Sequence, residues 1–268
     1  MVNLLVAAAL AAATPSPAPP AQPVVEPAMF VVHDADTTIY IFGTFHALDA
    51  KTQWFDRQVR NAFESSNELV LETLVPEGPH QPVQFGPGFR PPSVTPSASF
   101  LATTRMAISA GQARGMQVDN GADMVLRRYA EAEGKPVEGL ETLQSQLEMF
   151  NRLPPAPSPA RAPVVKAGLP VAASQMQSLS LAMADMQSAW KRGDQSVCVN
   201  MLGQLNAASP ATYRMMFTER NARWADWIRA RMRTPGTVFV AVGAGHLAGK
   251  DSVLVRLAEK GIESRRVN

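Results

Sequence analysis

Two histidines and two glutamates stand at or just beyond the ends of predicted β-strands: His46, Glu72, Glu141 and His246. The carboxyl ends of the strands in an open α/β sheet line the crevice where ligands bind, so we expect these side chains to lie close together. Two neutral imidazoles with one or two carboxylates suit a zinc, manganese, iron or cobalt ion and leave a coordination position for water. A bound divalent ion lowers the pKa of that water, and a spare glutamate can serve as general base. The pattern therefore predicts a metal-centred hydrolytic site.

Each of these residues also has a structural interpretation. A histidine after a Gly-Thr turn often serves as a hydrogen-bonding residue, which is the alternative for His46 and, in its own turn, for His246. Glu72 and Glu141 stand where helix N-termini commonly begin, so a capping role competes for both. The joint placement of all four residues at strand ends favours the ligand interpretation.

A glycine-rich turn, Val242 to Gly249, joins the last long predicted strand to a predicted helix. Its glycine spacing differs from that of dinucleotide-binding and phosphate-binding loops, which argues against a nucleotide site. The chain also lacks the His-Glu-x-x-His helix and the Gly-x-Ser-x-Gly elbow of two common hydrolase designs. We expect the glycines to allow a tight turn and a close approach of the backbone to the site.

Alternating patterns along the chain predict an α/β fold, a mixed, mostly parallel sheet flanked by helices. A strand, helix, strand order across residues 37–72 forms a βαβ unit, which pairs strands in parallel. Met-, Leu- and Ala-rich helical stretches at about residues 164–233 predict an inserted helical cap region. The predicted strands are Met29–His33, Thr37–Phe42, Glu68–Glu72, Val137–Leu140, Thr237–Val242 and Ile262–Val267. The main predicted helices are Trp54–Glu64, Ala122–Glu133, one from Glu141, Val171–Trp190, Gln195–Ala207, Ala211–Met232 and Ala248–Lys260.

The amino-terminal sequence predicts that the protein is exported. An apolar run from Leu4 to Ala13 has the length of a signal-peptide core and is too short to span a bilayer, so we expect residues 1–13 to be a signal peptide. Residues 14–27 form a Pro/Ala-rich linker, and residues 28–268 the folded domain. Residues 1–3 carry no Lys or Arg, which keeps an uncleaved anchor as the alternative. We therefore expect a periplasmic or secreted protein with no stable membrane span after cleavage.

Composition narrows the classes of function. The chain has 268 residues, 46% of them hydrophobic, enough to bury a substantial core. A formal net charge of +2 is too balanced for a nucleic-acid-binding surface. Its single cysteine, Cys198, excludes an internal disulfide and a cysteine-based zinc site.

Several segments in this order resemble the TraB/GumN family. They are the turn Gly43 to His46, the strand ending in Glu72, the stretch Gly134 to Thr142 with Gln146, the pair Arg220-Asn221, and the turn Val242 to Gly249. The resemblance runs from Met29 to Asn268. It implies an α/β fold with paired Gly-x-x-His motifs, related to the Tiki metalloproteases, which are similar in using manganese or cobalt. Carried over to this chain, it implies metal ligands at His46, Glu72 and His246, with Glu141 and Arg220 in support.

The first functional hypothesis is a divalent-metal-dependent hydrolase, with peptidases among the candidates, that acts on a peptide or small molecule outside the cytoplasm. Manganese or cobalt is the expected ion and zinc the alternative, with Glu72, Glu141 and Arg220 as catalytic candidates. A second hypothesis is a binding protein that sequesters a peptide, haem or a metal chelate without turnover. A third is a structural partner in envelope polysaccharide assembly, in which the histidines matter only for packing.

Overall fold

The structure is a computed structural model that describes residues 25–74, 106–154 and 171–268. Within these residues, six strands form one sheet in the order β4-β3-β5-β2-β1-β6. β2, β5, β3 and β4 run parallel to one another, whereas β1 pairs antiparallel with β2 and β6. The strands are β1 Met29–His33, β2 Thr37–Thr44, β3 Glu68–Thr73, β4 Val137–Glu141, β5 Gly236–Gly243 and β6 Arg265–Arg266. The predicted α/β fold with a mixed, mostly parallel sheet is confirmed.

Helices flank this sheet. They are α1 Arg57–Glu64, α2 at residues 106–112, α3 Ala122–Ala132, α4 Leu143–Arg152, α5 Val171–Lys191, α6 Ser196–Ala208, α7 Pro210–Tyr213, α8 Glu219–Arg231 and α9 Val253–Ala258. A π-helical turn, Arg214–Thr218, joins α7 to α8, so residues 210–231 form one continuous helical run. Short 3₁₀ turns occur at Val118–Asn120 and Ala244–Leu247.

β5 lies in the interior of the sheet, between β2 and β3. Its residues 238–242 form an unbroken buried apolar run, as expected of a parallel strand covered on both faces. Val238, Val240 and Val242 pack with Trp224 of α8 on one face. Phe239 and Ala241 face a second cluster that contains aromatic side chains from α1, α5 and the loop before α1. The turn that carries His246 therefore follows a buried, central strand.

Two predicted elements near the carboxyl terminus are shorter than expected. The predicted helix at residues 248–260 is realised as α9, Val253–Ala258, whose N-cap Ser252 accepts a hydrogen bond from the Val255 amide at 3.3 Å. Gly249 adopts a φ of 80°, a left-handed conformation that a helix cannot contain. The predicted strand at residues 262–267 reduces to β6, the two residues Arg265–Arg266.

The start of α1 also differs from the prediction. Asp56 is the N-cap, and its side chain accepts from the amides of Gln58 and Val59, so the helix begins at Arg57 rather than at Trp54. Trp54 is buried ahead of the helix, where its ring stacks on Phe42 with the ring centroids 5.4 Å apart.

The predicted signal peptide at residues 1–13 and most of the predicted linker, up to residue 24, lie outside the described residues. So does the start of the predicted helical cap region, up to residue 170, whereas α5 to α8 lie between β4 and β5 in the chain. In the part of the chain that the structure describes, no helix combines the length and the apolar character needed to cross a membrane.

Candidate active site

His246 lies in the 3₁₀ turn that follows β5, and its side chain is buried. The imidazole packs against the rings of Phe217 and Trp224, at centroid distances of 4.9 and 4.4 Å. Its Nδ1 lies 2.6 Å from Oδ1 of Asn221, and its Nε2 lies 3.3 Å from Nη1 of Arg220. Burial lowers the pKa of His246 to about 3, so the ring is neutral at physiological pH.

Glu72, the penultimate residue of β3, lies next to this histidine. One carboxylate oxygen, Oε1, accepts from Nη2 of Arg220 at 2.6 Å and from the amide of Gln146 at 3.4 Å. The other, Oε2, accepts from the backbone N–H of Gly243 at 3.2 Å and lies 3.8 Å from Nε2 of His246. Burial alone would raise the pKa of Glu72, but the surrounding cationic groups, with the Arg220 guanidinium in direct contact, hold it well below its usual range.

Glu141, at the end of β4, accepts hydrogen bonds from side chains of α8. Its carboxylate accepts from Nε of Arg220 at 3.0 Å, from Arg223 at 3.3 Å and from the indole of Trp224 at 3.2 Å. The N-cap of the following helix is Thr142, which accepts from the Ser145 amide, so Glu141 is not the cap of that helix. No contact recorded for the described residues joins Glu141 to either histidine.

Arg220 is the link between the two glutamates. Its side chain is 3% exposed and stacks on the Trp224 ring, 4.6 Å from the centroid. Nη2 contacts both Glu72 and Glu141, at 2.6 and 2.9 Å. Nη1 donates to the carbonyl of Met216, in the π-helical turn, at 3.3 Å. One buried guanidinium thereby fixes the ends of β3 and β4 relative to α8.

His46, beyond the end of β2, is the exposed member of the group. Its side chain is 63% exposed, and Nδ1 lies 2.8 Å from Oδ2 of Asp123. The charge of Asp123 raises the pKa of His46, since the pair favours an imidazolium. The same pairing favours the ionised form of Asp123, and it outweighs the effect of burial and lowers the pKa of that carboxyl.

The start of α3 brings Asp123 to His46. Ala122 donates its backbone N–H to the carbonyl of Phe45 at 3.0 Å. A Cβ on Gly121 would overlap the carbonyl group of His46, so this close approach requires glycine. Asp123 then falls in the first turn of the helix, where a carboxylate is favoured by the helix dipole.

Gly243 lies beside two of the three predicted metal ligands, His46 and Glu72. A Cβ at this position would lie 2.9 Å from Nε2 of His46 and 3.4 Å from Oε2 of Glu72. The same oxygen lies 3.8 Å from Nε2 of His246. The structure therefore brings together all five residues singled out in the sequence: His46, Glu72, Glu141, Arg220 and His246.

The donor atoms of this group, rather than their present arrangement, suit a metal ion. Across residues 25–74, 106–154 and 171–268, no three His, Cys, Asp or Glu side chains are already arranged to hold an ion. Nε2 of His46 and Oε2 of Glu72 nevertheless border the position beside Gly243 that a Cβ would occupy, and the same Oε2 lies 3.8 Å from Nε2 of His246. Both imidazoles bind an acceptor through Nδ1, as metal-ligating histidines usually do. Ion binding there requires Nη1 of Arg220 to withdraw from His246.

Two residues of the site, Asp123 and Asn221, were not predicted from the sequence to contact the histidines. Asp123 carries no local signal beyond an acidic residue in the first turn of a predicted helix, and its partner His46 is 77 residues away. Asn221 was noted in the sequence as the neighbour of Arg220. Its contact with His246 depends on how α8 packs against the turn that carries His246.

The fold and this site define a mixed α/β protein in which two histidine-bearing loops and a buried Glu-Arg-Glu cluster share the carboxyl edge of the sheet. The sequence model of the TraB/PrgY/gumN family matches residues 28–86 and 89–266, and the chain belongs to this family. The resemblance found in the sequence is thus confirmed. No curated protein and no solved structure matches the chain.

Proposed function

We propose that the protein is a divalent-metal-dependent hydrolase whose ion is held by His46, Glu72 and His246. One observation carries the proposal. Each imidazole is bound at Nδ1 by an outer partner, Asp123 or Asn221, while Nε2 of His46 lies beside Gly243 and Nε2 of His246 lies 3.8 Å from Oε2 of Glu72. This is the arrangement in which neighbouring groups orient histidines as metal ligands.

The charge of the site favours a cation. Glu72 and Glu141 share the buried guanidinium of Arg220, Arg223 also contacts Glu141, and Asp123 pairs with His46. When His46 gives up its proton to bind an ion, these three carboxylates and two guanidinium groups leave one net negative charge, which attracts a cation. Nitrogen and oxygen donors suit manganese, cobalt or zinc. When bound, such an ion lowers the pKa of its water and polarises a substrate carbonyl or phosphoryl group.

The residues of the chain have distinct proposed roles. Glu72 is a ligand rather than the general base, because its carboxylate already accepts hydrogen bonds from Arg220 at 2.6 Å and from the Gly243 amide at 3.2 Å. Arg220 lies between Glu72 and His246, where its charge would stabilise an oxyanion that develops on the substrate. Glu141 contacts Arg220 rather than the histidines, so it is a positioning residue.

The substrate is proposed to be a peptide or another small molecule encountered in the periplasm or outside the cell. This location rests on the predicted signal peptide at residues 1–13. The kinship of the family with peptidases makes peptides the first class to test.

The direct test is cleavage of a quenched-fluorescent peptide library by the purified chain with Mn²⁺, Co²⁺ or Zn²⁺. We expect metal-dependent cleavage that disappears in His46→Gln. His33→Gln is the matched control, because His33 is an exposed histidine at the end of β1. Cleavage that persists in His46→Gln would contradict the proposed site, and an absence of cleavage with every ion would contradict the proposed reaction.

A second candidate function has one observation in its favour. Glu72 and Glu141 both bind Arg220, so neither glutamate of the described site is a free general base. This favours a protein that binds a peptide, haem or a metal chelate without turnover. Stoichiometric retention of labelled peptide or haem, with no product detected by mass spectrometry, distinguishes this candidate from the hydrolase.

A further inference from the structure

Four side chains of one helical run, residues 210–231, contact the ring and both nitrogens of the His246 imidazole. Phe217, from the π-helical turn, and Trp224, from α8, pack on the ring. Asn221 and Arg220, both from α8, contact Nδ1 and Nε2. The ring therefore has a defined orientation, and the position of its proton depends on what these two neighbours can donate or accept.

The orientation of the Asn221 amide is fixed by a second contact. Its Nδ2 donates to the backbone carbonyl of Asp251 at 2.7 Å. A carbonyl oxygen accepts hydrogen bonds and cannot donate them, so the amide nitrogen must face Asp251 and the amide oxygen must face His246. Oδ1 accepts, which requires a proton on Nδ1 of His246, 2.6 Å away.

The contact at the other nitrogen is longer and agrees with this assignment. A guanidinium has no acceptor, so Nη1 of Arg220 can pair with Nε2 of His246 only through the lone pair of that nitrogen. An acceptor at Nδ1 and a donor at Nε2 together specify one tautomer. In water, the neutral imidazole of histidine favours the opposite tautomer, with its proton on Nε2.

Asp251, which orients Asn221, is itself anchored. Its carboxylate accepts from the hydroxyl of Tyr213 at 2.9 Å and pairs with the guanidinium of Arg256. The backbone carbonyl that receives the Asn221 amide is thus held between α7 and α9.

We infer that Asn221 is a positioning residue that fixes the proton of His246 on Nδ1 and so leaves Nε2, which lies near Arg220 and Glu72, with a lone pair rather than a proton. The consequence for metal binding rests on the proposed function, whereas the tautomer itself does not. Without the Asn221 oxygen, the buried Nδ1–H loses its acceptor. The other tautomer can then direct a proton on Nε2 to Oε2 of Glu72, 3.8 Å away.

The test is nitrogen-15 NMR of the metal-free chain labelled at histidine. The chain has four histidines, and loss of one signal set in His246→Gln assigns the ring. We expect the wild type to show a proton on Nδ1 and a lone pair on Nε2. Asn221→Leu should shift a large fraction of the rings to the Nε2–H form, whereas Asn221→Asp, which keeps an acceptor, should retain the proton on Nδ1.

Gln195→Leu is the matched control. The Gln195 amide donates to the carbonyl of Leu247 at 3.0 Å, next to His246, and no contact recorded for the described chain joins it to the ring. This variant loses a comparable hydrogen bond and should leave the tautomer unchanged. A wild-type ring with its proton on Nε2, or an unchanged spectrum in Asn221→Leu, would overturn the inference. Should Asn221→Leu fail to fold, the wild type and Asn221→Asp decide the question.

A Mn²⁺ titration of the same proteins separates this inference from the proposed function. We expect Asn221→Leu to bind the ion about 10- to 100-fold more weakly than the wild type. If the spectra are as expected and no ion binds the wild type, the positioning role stands and the metal-dependent function fails. If the ion binds and the wild-type ring carries its proton on Nε2, the positioning role fails and the function stands.

Discussion

Oδ2 of Asp123 lies 2.8 Å from Nδ1 of His46, although the two residues are 77 positions apart in the chain. This contact engages Nδ1 of the exposed His46 imidazole and so orients its Nε2 toward Gly243. It also ties the start of α3 to the carboxyl edge of the sheet, and it is the counterpart of the Asn221 contact with His246.

Removing this contact should weaken metal binding without unfolding the protein. We expect Asp123→Ala to lower the Mn²⁺ affinity about 10- to 100-fold, because the imidazole of His46 loses the partner that orients it. The measurement is isothermal titration calorimetry. Asp119→Ala removes an exposed carboxylate four residues earlier and should leave the affinity unchanged. Equal affinities of Asp123→Ala and the wild type would exclude an orienting role.

A methyl group at Gly243 should obstruct the site. The new Cβ would lie 2.9 Å from Nε2 of His46, closer than real Cβ contacts, so the ring must move. The backbone φ of Gly243 is −51°, which other residues adopt, so we expect Gly243→Ala to fold and to lose ion binding. Gly203→Ala is the control, because a Cβ in that α6 position meets no atom within 4 Å. Unchanged ion binding in Gly243→Ala would place the ion elsewhere.

Arg220 should matter for stability as well as for function. Arg220→Met leaves the carboxylates of Glu72 and Glu141 buried without their shared cation, which typically costs about 3–5 kcal/mol. Urea unfolding measures this loss. Arg223→Met removes a second partner of Glu141 whose side chain is 60% exposed, and we expect a change of about 0–1 kcal/mol. Similar losses in the two variants would contradict the central position of Arg220.

The order of elements and the strand-end residues were predictable because periodicity and turn chemistry are local. The position of β5 between β2 and β3 was not, since any parallel strand order satisfies the same pattern. The left-handed φ of Gly249, which prevents α9 from starting as early as predicted, also has no distinct local sequence pattern. Asp123 and Asn221 are contacts made by packing, so the sequence located the histidines but not the residues that orient them.

Asp49 should make stability depend on pH in the acid range. Burial opposes its ionisation, but hydrogen bonds from Thr52, Lys191 and Gln187 and the charge of Lys191 outweigh this and lower its pKa to about 2. Its folded-state pKa lies below the unfolded value. Its contribution, at most roughly 2 kcal/mol, is therefore present above about pH 4 and is lost as the pH falls toward 2.

Urea unfolding of the wild type and Asp49→Asn between pH 2 and 6 checks this. The two curves should converge at the acid end and separate above about pH 4. Asp226→Asn, which removes a 58% exposed partner of Lys260, is the control and should track the wild type more closely. A constant difference between wild type and Asp49→Asn across the range would contradict the assignment.

The central claim is a single divalent-ion site at His46, Glu72 and His246. Thermal unfolding of the wild type, His246→Gln and His33→Gln with and without Mn²⁺, Co²⁺ or Zn²⁺ tests it most directly. An ion at about 100 times its dissociation constant should stabilise the folded wild type by roughly 2.7 kcal/mol. We predict this stabilisation in the wild type and His33→Gln, and its loss in His246→Gln. Equal stabilisation of all three proteins, or of none with any ion, would contradict the claim.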